Sequence, residues 1–199
     1  MRSHNTRGFS IIEMMIVIVV GLIGSAIAIM NVRPILQLAH ANNAYNITLA
    51  AMRQAREQAI GTRRVYIVAF NNAVNPNKIT ITQGDNGALI STYTLPSDTA
   101  FLAQAGYPNP GPDTFGTGGT AIDFDQNVAG ASAADKTSLY FYPDGSVQDI
   151  NQNTNNGVIY IARSADLVTP RAITVWGATG RLRGWKLTPN GATRYWSQM

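Results

Sequence analysis

The sequence predicts an α+β fold, a long N-terminal helix joined to an antiparallel β-rich head, and three features of its 199 residues predict it. An apolar run extends from Phe9 to Met30 with Glu13 as its only charge. From Asn31 to Thr62 apolar residues keep a helical period. Beyond Gly61 the texture changes to short runs rich in Val, Ile, Thr and Tyr, divided by Asn, Gly, Pro and Asp clusters, as antiparallel strands and turns require. A chain of this length holds one sizeable core, or an anchor plus a head of ordinary domain size.

Residues 1–8, MRSHNTRG, are short and basic through Arg2 and Arg7. As a helix, residues 9–30 span about 33 Å, enough for a bilayer core. The basic residues ahead of this transmembrane segment keep the extreme N-terminus in the cytoplasm, and the head is exported. A cleaved secretory signal fits poorly, because its apolar run would be shorter and would end at small residues with A-x-A spacing. A carboxylate in hydrocarbon costs about 2.5–3.5 kcal/mol, so Glu13 demands a partner and implies assembly. The bland alternative is an acid that snorkels to the interface.

Residues 31–62 continue the helix as an amphipathic segment. Leu38, Tyr45, Leu49, Met52 and Ala59 return every three, four or seven residues, giving a face to pack on the head. Pro34 is expected to bend or locally open this helix, and Gly61 to stop it. In the head, residues 63–199, strands are expected in RRVYIVAF, KITITQ, ALISTYTL, LYFYP, GVIYIAR and AITVW. Turn chemistry marks GDNG at 84–87, PDG at 143–145 and TPNG at 188–191, and residues 105–119 form a Gly- and Pro-rich loop.

The absence of cysteine excludes a disulfide framework, a thiolate nucleophile and cysteine-based metal sites. His4 and His40 stand far apart without a neighbouring carboxylate, and Asp123, Asp125 and Gln126 lack the acidic partner a calcium loop needs. No G-x-S-x-G, H-E-x-x-H or phosphate-cradling glycine pattern occurs. The reading therefore assigns no catalytic residue, metal or cofactor, and leaves a signal-anchored enzyme without a motif to support it.

Charge is unevenly spread: +5 over residues 1–70, −6 over 71–170 and +5 over 171–199. Strand alternation around GRLR places Arg181, Arg183 and Trp185 on one face and Leu182 on the other. With Lys186, Arg194, Trp176, Tyr195 and Trp196 nearby, the segment has the cations and aromatics that meet phosphates and stack on bases. The competing reading puts these arginines on a solvated strand or in salt bridges to the Asp-rich middle, with the tryptophans in the core.

RGFSIIEMMIVIVV closely resembles the class III leader of type IV pilins and pseudopilins: basic residues, a Gly, a Phe, and a Glu four residues later. The resemblance implies cleavage by prepilin peptidase between Gly8 and Phe9 on the cytoplasmic face, then N-methylation of Phe9. It also implies that Glu13 meets the terminal amine of a neighbouring subunit. The partners implied are membrane lipid, an inner-membrane assembly platform and other pilins or pseudopilins in a helical filament. Location would be a single pass of the bacterial inner membrane with a periplasmic head, then the pilus or pseudopilus.

A narrower resemblance is to the GspH/FimT family of minor pilins and pseudopilins. It rests on AREQAIGTRRVYIVAF at 55–70, LYFYPDGSV, GVIYIARS, AITVW and GRLR, about half the chain, whereas residues 71–134 do not align. It implies the type IV pilin fold and a subunit that initiates or caps a type II secretion pseudopilus or a type IV pilus. In some FimT-like minor pilins a Gly-Arg-x-Arg segment is associated with DNA binding for natural transformation. Here that would fall on Arg181 and Arg183, with Lys186 and Arg194 beside them.

Overall fold

The computed structural model describes residues 9–124, 135–191 and 193–199, with 27–34 and 135 as backbone alone. The leader with Gly8 and His4, and the weighed Asp125 and Gln126, lie outside the described residues. Helix α1 runs over Ile11–Thr62, and its assignment continues on both sides of Pro34. The expected stop at Gly61 is corrected by two positions: the helix ends at Thr62 and the left-handed residue that follows is Arg63, with φ 54°.

The chain divides into a unit that ends at Leu38 and a head that begins at Ala39, so residues 39–62 of the helix belong to the head. Its strands are β1 (Tyr66–Asn71), β2 (Lys78–Gln83), β3 (Leu89–Thr94), β4 (Ala100–Phe101), β5 (Ile122–Phe124), β6 (Ser138–Phe141), β7 (Val147–Gln148), β8 (Gly157–Ala162), β9 (Arg171–Trp176), β10 (Arg181–Asn190) and β11 (Thr193–Gln198). They form two antiparallel sheets. The first has the order β3-β2-β1-β6-β7; the second has the order β11-β10-β9-β8-β4, with β5 also on β8. The TPNG segment is strand up to Asn190 rather than turn. Pro189 is tolerated there because β10 pairs with β9 only as far as Lys186, leaving that side of the proline without a ladder to donate to.

Ala41, Ala44, Thr48, Ala51, Met52, Ala55 and Ala59 are fully buried along one helix face. Residues of this stripe share one core with Val68, Phe70, Ile79, Ile81, Leu139 and Phe141 of the first sheet and Ile159, Ile161, Ile173 and Val175 of the second. The small residues let the helix lie close to both sheets. At Gly184 the approach is closest, since any Cβ there would overlap the Tyr45 hydroxyl.

Strands β8 and β9 are buried on both faces, apart from Trp176 at the end of β9. Their second face carries Val158, Tyr160, Ala172 and the neighbouring Leu187, packed with Tyr107, Phe115, Trp185 and Trp196. Residues 105–119, expected as plain loop, therefore supply a cover for the second sheet, with one turn of 3-10 helix at Pro112–Thr114. Gly111 and Gly116 permit it: a side chain at either would collide with the Tyr160 hydroxyl.

One interaction joins the two sheets at the end of the head where the helix stops. Arg56 donates from Nε to the Gly145 carbonyl at 3.2 Å and from Nη2 to the Thr179 carbonyl at 3.1 Å. Gly145 lies in the β6–β7 turn and Thr179 in the β9–β10 turn. Gly180 adopts φ 60° there, with no room for a Cβ beside Arg56 and the Gly145 carbonyl. The arginine of AREQA, the glycine of PDG and the glycine of GRLR thus meet at one point.

Burial pushes the Tyr107 hydroxyl up to about 12, against the bond to Gln104 and helped by Asp166. Tyr160, in ring contact with it at 5.3 Å, is raised by burial too. A raised tyrosine stabilises the fold fully below its unfolded value and loses that contribution as pH climbs toward the folded value. Wild type should therefore lose on the order of 2 kcal/mol relative to Tyr107→Phe between about pH 10 and pH 12. Unfolding of the full chain in detergent across that range checks it; parallel profiles for the two proteins would refute it.

Candidate functional site

Two surfaces hold the residues singled out by sequence. On the first, all described side chains from Phe9 to Ala26 are exposed, Phe9 at 79% and Ile11 at 82%. Glu13 lies in the first turn of α1 and makes no ion pair among the described residues. A helix segment apolar all round calls for surroundings of lipid or other apolar helices. Among the described residues no helix is long and apolar enough to cross a membrane, the described side chains of this run ending at Ala26.

The second surface is the C-terminal basic segment, and here the structure separates residues that composition groups together. Register places Arg181 opposite Trp176 and Arg183 opposite Thr174. Arg183 is tied down: its Nη1 donates to Asp113 Oδ1 at 2.6 Å, and its guanidinium lies 5.9 Å from the Trp176 ring centre. Asp113 also accepts from Thr174 Oγ1 at 2.5 Å and from Trp176 Nε1 at 3.2 Å. Trp185 Nε1 donates to Thr174 Oγ1 at 3.0 Å and completes the network. The left-handed φ of 54° at Asp113 is thus held by three donors.

Lys186 is exposed, but strand parity puts it on the Leu182 face, opposite the buried Arg171. Burial lowers the Arg171 guanidinium below its usual range, and it donates to Asn42 Oδ1 at 2.9 Å. Arg194 pairs with Pro189, six positions and so about 20 Å along the strand from Arg183. Lys186 and Arg194 therefore do not converge with Arg181 and Arg183. Arg181 stays exposed and lines two shallow depressions, one with Arg53, Arg56, Thr179, Gly180 and Leu182, the other with Trp176, Thr179 and Arg183.

Asp113 escaped sequence reasoning because only the Asp-rich middle as a whole was visible as a partner. Arg53 and Arg56 carried a signal, the AREQA segment and the residues just before it, but nothing local ties that helix to GRLR. His40 Nδ1 stands 3.0 Å from Asp98, which also accepts from Arg163 Nε at 3.0 Å. No group of three metal-ligating side chains occurs among the described residues.

The prokaryotic N-terminal methylation motif matches residues 3–29. This motif at the head of a long helix packed on an antiparallel β head makes the chain a type IV pilin-like protein. The crystal structure of the type IV minor pilin FimU of Pseudomonas aeruginosa strain PAO1 is similar with a TM-score of 0.45 and 12% identity, covering 79% of this chain and 91% of that one. No curated protein matches.

Removing the acid at the centre of the network strands Arg183, Thr174 and Trp176 together. Asp113→Ala should destabilise the head by on the order of 3 kcal/mol, since it leaves a largely buried guanidinium uncompensated. Denaturant titration with tryptophan fluorescence reads this, and an unchanged midpoint would show that the cover is held elsewhere.

Proposed function

We propose that the chain is a minor pilin or pseudopilin of the GspH/FimT type, a structural subunit rather than an enzyme, that initiates or caps a type II secretion pseudopilus or type IV pilus. Prepilin peptidase cuts between Gly8 and Phe9, Phe9 is methylated, and residues 9–30 hold the subunit in the bacterial inner membrane with the head in the periplasm. The observation that carries this is Glu13: a carboxylate without an ion-pair partner among the described residues, in a helix segment whose described side chains are all exposed, inside the methylation motif. In lipid such an acid is costly, and the amine of a neighbouring subunit's Phe9 neutralises it. The buried alanine stripe ties the helix residues from Ala44 to Ala59 to both sheets of the head.

Mass spectrometry of the mature protein should find a methylated Phe9 at the N-terminus, and Gly8→Ala should leave the leader attached. Glu13→Val should still insert in membranes yet be recovered in filaments at a small fraction of wild-type level. An intact Met1 in cells, or normal incorporation of the valine variant, would overturn the reading.

A second reading has one observation in its favour: Arg181 is exposed directly across from Trp176, itself 39% exposed. A guanidinium beside an accessible indole fits a phosphate and a stacked base, as a tip-displayed DNA-binding minor pilin would need. Arg181→Gln should then weaken salt-dependent binding of the full chain to DNA several-fold in a gel shift, whereas Lys186→Gln should change it little. No shift with the wild-type protein at low salt would remove this reading.

A further inference from the structure

Among the described residues, the outer face of the first sheet is only partly buried, in contrast to the doubly buried strands of the second sheet. On that face Ile67 pairs with Tyr140, and both are only partly buried. Toward the helix terminus they join Val65, Tyr142 and Ile150 in an apolar and aromatic groove, with Ile150 61% exposed. Arg63 stands at its rim. The adjacent Arg64 is already neutralised by Asp85 at 3.1 Å, but Arg63 makes no ion pair among the described residues.

The backbone at Arg63 sharpens the point. A left-handed φ favours glycine, and Gly61 lies two positions away in the helix where its freedom is unused. At Asp113 the same strain is offset by bonds that the side chain makes within the molecule. Among the described residues Arg63 has no hydrogen-bond or ion-pair partner, and it is exposed beside apolar floor residues. Strain kept for an exposed cation points to a partner outside the chain.

We propose that this groove docks a segment of a neighbouring pilin-like subunit in which an Asp or Glu is flanked by apolar side chains, the carboxylate pairing with Arg63 and the apolar groups covering Ile67, Tyr142 and Ile150. The identity of the neighbour as a pilin-like subunit rests on the function proposed above; the chemistry of the groove does not. A lone apolar ligand would leave Arg63 unused, and a free carboxylate would leave the aromatic floor bare. Charge complementarity and the apolar floor together select the mixed segment.

The test uses the full chain in detergent micelles with isoleucine Cδ1 methyls labelled for NMR. The probes are N-acetyl-Leu-Asp-Leu-amide, its Asn and Lys counterparts, and acetate. The Asp peptide should move the Ile67 and Ile150 methyls and bind at least about ten-fold more tightly than the Asn peptide, an advantage that shrinks with added salt. Arg63→Gln should abolish that preference. Arg63→Gly should do the same while raising the thermal midpoint, because it relieves the left-handed strain; a residue kept only to end the helix would gain stability and lose nothing.

Equal binding of the Asp and Asn peptides, shifts reproduced by acetate alone, or an Arg63→Gly protein that binds like wild type would overturn the proposal. Ile150→Asp, on the exposed floor, supplies a second variant that should reject the Asp peptide without touching Arg63. Because Phe9 methylation and filament recovery are measured separately, failure here leaves the pilin reading standing, and failure there leaves this groove's chemistry testable.

Discussion

The head depends on one helix face serving two sheets at once. Ala41, Ala44, Ala51, Ala55 and Ala59 have no exposed surface, and their size sets how closely the helix approaches the strands on either side. Larger side chains would force the sheets apart, because interiors are packed too densely to absorb added volume. The same closeness explains why glycine occupies position 184 beneath Tyr45 and position 180 beside Arg56. Arg56 then fastens the turns of both sheets to the helix, each charge-assisted bond adding on the order of 1 kcal/mol once partial exposure is discounted.

This arrangement sorts the basic residues by task. Arg56, Arg163, Arg171 and Arg183 spend their donors inside the head, on carbonyls, carboxylates or Asn42. Arg53, Arg63 and Arg181 make no ion pair among the described residues. A net charge of +4 therefore says little about binding until the internal pairs are removed from it. Among the described residues, those left include Arg53 and Arg181 beside the β9–β10 turn, Arg63 at the helix end and Arg194 on β11.

The cover over the second sheet shows why residues 105–119 resisted reading. Tyr107 and Phe115 are core residues set in a Gly- and Pro-rich stretch without strand or helix period. Their burial comes from packing on β8 and β9, far away in sequence. Asp113, between them, looked like loop polarity and is instead the acceptor that fixes Arg183, the Thr174 hydroxyl and the Trp176 indole. The strands themselves were more legible: KITITQ, GVIYIAR and AITVW alternate or run apolar between turn residues, and they form β2, β8 and β9.

By itself the sequence determined the long helix, the apolar character of its first half, the placement of Glu13 and the existence of an antiparallel head. Each of these is written in local periodicity or composition, which a chain expresses before any distant contact forms. Only the tertiary structure decided which arginines are free, that residues 105–119 form a cover, and that the helix terminates on a strained Arg63. Those outcomes depend on pairings between residues sixty or more positions apart, as with Asp113 and Arg183, or on the exact turn at which packing stops the helix. Local patterns hold no information about such partners, because many arrangements satisfy the same pattern and long-range packing selects among them.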